Sequence, residues 1–180
     1  MTHTGISATD GRTAVARSII AAGLVSAAVV IAERPAAAET LEGRWRLLAA
    51  EDVRSDGSVA RYPWGRQPVG SIVAEDGVCY LQIMSSETPS FPQGARSTAD
   101  QMKDALLSSY IAYTGPCTID NASGTVTLRV VAAWRPDYVG TEQKRFFRFE
   151  NGRLFFGPAP NSIVAGSEHL TRRLTLERVR

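Results

Sequence analysis

Three glycine-bearing connections constrain this chain most. Asp76-Gly77 stands between two β-prone runs, residues 69–75 and 78–84; Asn151-Gly152 stands between residues 141–150 and 153–156. Asn121-Ala122-Ser123-Gly124 separates residues 117–120 from 125–134. A two-residue Asp-Gly or Asn-Gly link has φ > 0 at both positions, the type I′ turn whose twist suits two antiparallel strands. Residues 43–54 add a strand with Trp45, Leu47 and Ala49 on one face, and residues 170–179 add a closing strand with Leu170, Leu174 and Leu176 in phase. About eight short strands with glycine turns make an all-β, eight-stranded antiparallel barrel. A barrel of that size has room for one small ligand.

One segment breaks the strand pattern. Thr98-Ala99-Asp100-Gln101 has the form of a capping box, and Met102, Ala105, Leu106, Ser109, Tyr110 and Tyr113 then recur on one helical face. Gly115 and Pro116 are expected to stop this single inserted α-helix. The proline-bearing stretches 62–68 and 88–94 are expected to be loops.

Residues 1–38 differ from the remainder. Arg12 and Arg17 precede an apolar run, residues 18–32, which is followed by the breaker Glu33-Arg34-Pro35 and by Ala36-Ala37-Ala38. A basic region, a short apolar stretch and an A-x-A site describe a secretory signal cleaved before Glu39. A retained membrane anchor is the alternative, but the run is shorter than the roughly 20 residues a spanning helix needs. The expected domains are therefore a signal peptide, 1–38, and a barrel, 39–180, with no stable membrane span after cleavage. No adjacent arginine pair marks a twin-arginine route, and no cysteine follows the run for lipid attachment.

The formal charge is +2, and residues 39–180 carry 17 basic against 16 acidic side chains. That balance gives no broad field for nucleic acid. The arginines and lysine of residues 129–153 interleave with Asp137, Glu142 and Glu150, as on a solvated strand face. Cys79 and Cys117 are the two cysteines. Outside the cytosol they can form a disulfide; two buried free thiols are the alternative, and geometry decides between them.

Gly43-Arg44-Trp45 at the head of the first strand matches the G-x-W of lipocalin-like barrels. Four further stretches, in order, resemble the bacterial and fungal lipocalin-like domain family. They are Tyr62-Pro63-Trp64-Gly65-Arg66-Gln67-Pro68-Val69-Gly70, Asp76-Gly77-Val78-Cys79-Tyr80-Leu81-Gln82-Ile83-Met84, Tyr110-Ile111-Ala112-Tyr113-Thr114-Gly115, and the run from Pro136-Asp137-Tyr138 through Phe147. The resemblance implies a calycin-type barrel that binds a small apolar molecule, and it does not fix any chemistry. It also implies that a basic residue of the last strand, here Arg178, packs over Trp45 as a cation–π pair. Relatives often carry histidine where this chain has Leu128-Arg129, so any acid–base role of that histidine is absent here.

Candidate contacts follow from strand phase. Gln143 and Arg145 alternate in step with Phe147 and Phe149. If the phenylalanines face inward, so does the guanidinium, which can then bind a ligand carboxylate or enolate bidentately. The opposite register puts Glu142, Lys144, Phe146 and Arg148 inside. An inward Gln82 offers a donor and an acceptor; an outward one faces solvent. On the expected helix, Tyr110 and Tyr113 serve either as lid phenols or as amphipathic packing. His169 beside Glu168 lacks a G-x-S-x-G nucleophile elbow, and one histidine with two separated cysteines does not make a metal site. No phosphate-binding loop, dinucleotide fingerprint or zinc motif occurs, so no cofactor is expected.

The expected function is a periplasmic or secreted protein that binds a small hydrophobic molecule in the barrel lumen, with Gln82, Tyr110, Tyr113, Gln143, Arg145 and Phe147 as contacts. One alternative is a cyclase, isomerase or dehydratase, with Arg145 stabilising an oxyanion and a tyrosine or Glu142 moving the proton. Another is a ligand-free barrel used as an interaction surface.

Overall fold

Inward apolar and outward polar residues alternate along most strands, and the sheet they form closes on itself. The computed structural model describes residues 39–88 and 99–179. Its strands are β1 (Gly43–Val53), β2 (Val59–Arg61), β3 (Val69–Glu75), β4 (Val78–Met84), β5 (Tyr110–Asp120), β6 (Thr125–Arg129), β7 (Ala132–Ala133), β8 (Glu142–Glu150), β9 (Arg153–Gly157), β10 (Ile163–Ala165) and β11 (Glu168–Arg178). Helix α1 (Ala99–Ser109) lies between β4 and β5, and a 3₁₀ turn (Pro136–Tyr138) lies between β7 and β8. Strands β1, β3, β4, β5, β6, β8, β9 and β11 pair antiparallel in sequence, and β11 returns to β1. The result is the expected all-β, eight-stranded antiparallel barrel with one inserted helix. Strands β2, β7 and β10 flank it, paired to β1, β5 and β11. The expected leader (1–38), the Thr98 end of the capping box and most of the 88–94 loop lie outside the described residues.

The register gives the barrel two different ends. At one end are the tight turns, with φ of 52° and 74° at Asp76-Gly77 and 52° and 70° at Asn151-Gly152. That end is closed by Trp45, whose indole Nε1 donates to the Leu41 carbonyl at 2.8 Å. The Arg178 guanidinium lies 4.4 Å above the Trp45 ring and donates to the carbonyls of Glu42 and Thr40. Gly43 has φ of 116°, a conformation that residues with a Cβ rarely adopt, which explains the glycine two residues before the tryptophan; a Cβ there would also press on Arg178 Nη1 at 2.7 Å. The other end gathers the long connections: the loop holding Trp64, helix α1, and the β7–3₁₀ segment.

Three expectations change. Ala50, not Ala49, faces the core, because the β1–β11 register shifts between Leu47 and Ala49. A β-bulge of this kind turns the rest of the strand over and brings Asp52 inward. The helix ends at Ser109, and Tyr110 to Tyr113 belong to β5. Tyr-Ile-Ala-Tyr-Thr has strong β propensity, and pairing with β4 buries Tyr113 and half-buries Ile111, whereas none of the helix residues 100–109 is fully buried. Gly115 and Pro116 lie within β5 rather than stopping the helix. Third, residues 125–134 are two strands, not one. The chain between β6 and β7 crosses β5 so closely that a Cβ on Gly115 would lie 1.9 Å from the Arg129 carbonyl oxygen. Gly115→Ala is expected to destabilise the barrel by about 2 kcal/mol, since backbone must move to admit the methyl group. Denaturant melts check this.

Candidate functional site at the barrel mouth

Strand β8 places Gln143, Arg145, Phe147 and Phe149 on the inner face and Glu142, Lys144, Phe146 and Arg148 on the outer one. Across the lumen stands Tyr113, 5% exposed, with the Arg145 guanidinium 5.7 Å from its ring centre. Arg145 donates to Gln143 Oε1 and to the Lys144 carbonyl, both at 2.8 Å. Gln143 in turn donates to Thr141 Oγ1 at 2.9 Å. Arg145 has no acid partner among the described residues. Burial raises the Tyr113 phenol above its ordinary pKa, against the opposing charge and hydrogen bond of Arg145, so the phenol is neutral at pH 7.

The lumen itself is filled. Among Leu81, Tyr113, Leu128, Gln143, Arg145 and Phe156 there remains a cavity of about 20 Å³. That volume holds one water, far below the several hundred Å³ of a small-molecule site. The expectation of a ligand-sized lumen is corrected accordingly: large side chains from opposite strands meet in the middle. Gln82 is exposed on the outer face, opposite Ser71 and Ala112, and does not join the lumenal group. Tyr110 lies at the rim, in the outward phase of β5 rather than on a helical lid. Glu142 alternates outward, away from Arg145, which removes it as a proton carrier for chemistry there. His169 is exposed on β11, its Nδ1 3.3 Å from the Asn161 carbonyl oxygen.

Space for a ligand occurs at the end with the long connections. A cavity of about 470 Å³ lies among Trp64, Ile111, Trp134 and Tyr138, with Arg61 and Arg172 at one side and Leu107 of α1 at another. Its charged wall is built on Asp52, which the bulge turned inward and which is 0% exposed. Arg172 donates to Asp52 through Nε and Nη2 at 2.7 and 2.9 Å, and Arg61 through Nε at 2.7 Å. Desolvation pushes the Asp52 carboxyl up, but the hydrogen bonds and charges of Arg172 and Arg61 outweigh it and hold the pKa below the ordinary value. The Arg172 guanidinium also lies 4.8 Å above the Trp64 ring. The opposite wall is aromatic, with Trp134 and Tyr138 edge to face at 4.7 Å. The Trp134 indole nitrogen is buried with no acceptor. A second cavity, about 490 Å³, lies along the outer face beside Tyr80, Gln82 and Ala112; it shares Tyr110 and Trp134 with the mouth.

Sequence reasoning did not single out Asp52, Arg61 or Arg172. Arg172 was within reach, since it is in phase with Leu170, Leu174 and Leu176. Asp52 was hidden by the bulge.

Among the described residues no helix is long and apolar enough to cross a membrane. Neither a curated protein nor a solved structure matches this chain. The family model for the lipocalin-like domain matches residues 42–179, which spans the barrel from the G-x-W segment to the end of β11. The closed antiparallel meander, the Trp45–Arg178 pair at one end and that match agree: the chain belongs to the lipocalin-like domain family.

Proposed function

We propose that this protein is an exported binder of a small hydrophobic molecule, and that the molecule sits in the mouth of the barrel. Barrels of this family bind small molecules in general. The observation that carries the placement is the aromatic cavity of about 470 Å³ at the end with the long connections. It falls in the size range of small-molecule sites, and its walls combine aromatic rings with polar and charged side chains in comparable measure. Export is supported by the leader pattern of residues 1–38 and by the Cys79–Cys117 disulfide, a bond that oxidising compartments favour.

The test is uptake of a neutral probe, N-phenyl-1-naphthylamine, by the full chain. Its emission is expected to shift to the blue and saturate at one site, and Trp134→Ala is expected to weaken it about tenfold, as for loss of a buried aromatic anchor. No saturable uptake sinks the reading. Intact-mass measurement of the exported protein checks the compartment: the chain is expected to begin at Glu39, and an unprocessed chain retained in the cell overturns that part.

A further inference from the structure

We propose that the occupant of the mouth is acidic: a planar apolar body carrying a carboxylate or an equivalent oxyanion, held by Arg61 and Arg172. This rests on the binding reading above and adds the ligand's charge and shape.

The first argument is charge balance. The charged wall of the mouth holds two guanidinium groups, Arg61 and Arg172, on one shared carboxylate, Asp52. The nearby Arg135 does not alter the balance, since it is paired with Asp137. Arg172, 22% exposed, is the more desolvated of the two and shares its only carboxylate with Arg61, so an anion arriving through the open side of the groove adds the counter-charge that a desolvated cation favours.

The second argument is donor geometry. Asp52 takes Nε of Arg61 and Nε and Nη2 of Arg172. Both Nη groups of Arg61 and Nη1 of Arg172 have no acid partner among the described residues. Asp52 thus holds two guanidiniums side by side at the cavity wall, with donors left over for a second carboxylate. A guanidinium fork suits that planar anion.

The third argument is the shape of the remaining walls. Trp64, Trp134 and Tyr138 all line the same cavity, Trp64 with Arg172 over its ring and the other two edge to face with each other. Rings of this kind favour a flat aromatic body in offset or edge-to-face contact.

The experiment compares 2-naphthoate with 2-naphthamide, the same ring system with and without the charge, by quenching of tryptophan emission in the full chain at pH 7. Naphthoate is expected to bind at least about tenfold tighter, the scale of a charge-assisted contact. Raising the salt concentration is expected to narrow the gap. In Arg61→Gln the ratio of acid to amide affinity is expected to fall severalfold, because Arg172 alone remains to meet the carboxylate. Arg61→Lys is expected to keep part of the preference.

Equal binding of acid and amide by the unaltered chain overturns the proposal. So does an acid preference left unchanged by Arg61→Gln, and so does failure of both naphthyl compounds where N-phenyl-1-naphthylamine binds. In each of these cases hydrophobic binding stands. Failure of all three probes overturns the binding reading together with this one.

Discussion

Asp52→Ala is expected to cost the fold about 3–5 kcal/mol, the usual result of removing one partner from a buried ion pair. The carboxylate is wholly inaccessible, Arg172 is 22% exposed and Arg61 46%. The penalty therefore falls mainly through Arg172, which is left in the mouth without a counter-ion, while water screens Arg61. For a domain of this size the melting temperature is expected to drop by about 10–15 °C. Adding Arg172→Leu to Asp52→Ala is expected to restore part of the loss, because the stranded charge goes with it. A double variant as unstable as the sum of the two singles would argue against this origin. The pH dependence has a definite sign. The folded-state pKa of Asp52 lies below its unfolded value, so its contribution is complete above about pH 4 and drains away as the pH falls through the lower, folded value. Acid unfolding curves of the unaltered chain and Asp52→Asn are expected to converge below that range and to separate above it.

Removing the disulfide is the second large effect expected. Cys79 on β4 and Cys117 on β5 are joined with a Cα–Cα distance of 5.7 Å and a sequence separation of 38. A loop of that length gives about 4 kcal/mol in the chain-entropy account, and 2–4 kcal/mol is the usual measured range. The loop contains α1 and the longest connection between two neighbouring barrel strands. The ladder from Val78–Pro116 to Met84–Tyr110 already sets the register, so the Cys79→Ala, Cys117→Ala double variant is expected to fold to the same barrel and melt about 7–12 °C lower. A melting temperature unchanged by thiol reductant would show that the bond adds nothing to the sheet.

Local chemistry was the legible part of this sequence. Asp76-Gly77 and Asn151-Gly152 announce their hairpins because few other residue pairs tolerate φ > 0 twice in succession. The phase of Leu170, Leu174 and Leu176 on β11, and of Gln143 through Phe149 on β8, follows from a period of two that no irregularity interrupts. Tyr110 and Tyr113 were harder, since residues three apart share a helical face yet fall on opposite sides of a strand; only the pairing with β4 decides between the two. Gln82 was ambiguous because tyrosine and methionine on one side of β4 and cysteine, leucine and isoleucine on the other are both apolar. The charged wall was the least legible part. A single bulge near Leu48 inverts β1, and Asp52 meets Arg172 across 120 positions of chain, a distance over which no local pattern carries information. The filling of the lumen likewise depends on which side chains from opposite strands meet there.

Closure of the barrel by its first and last strands has a temporal consequence. Hairpins from β3 to β9 join neighbours in sequence and can zip up as each is made, but β1 waits for β11, and Trp45 is covered only when Arg178 arrives. Until then the sheet is an open ribbon with two bare edges, the state most prone to pairing with another chain. Long-range closures of this sort are slow steps in folding. The eleven residues of β11 therefore decide when both edges are covered, and a chain cut before Glu168 is expected to aggregate through β1 and β9 even though every hairpin in it can form.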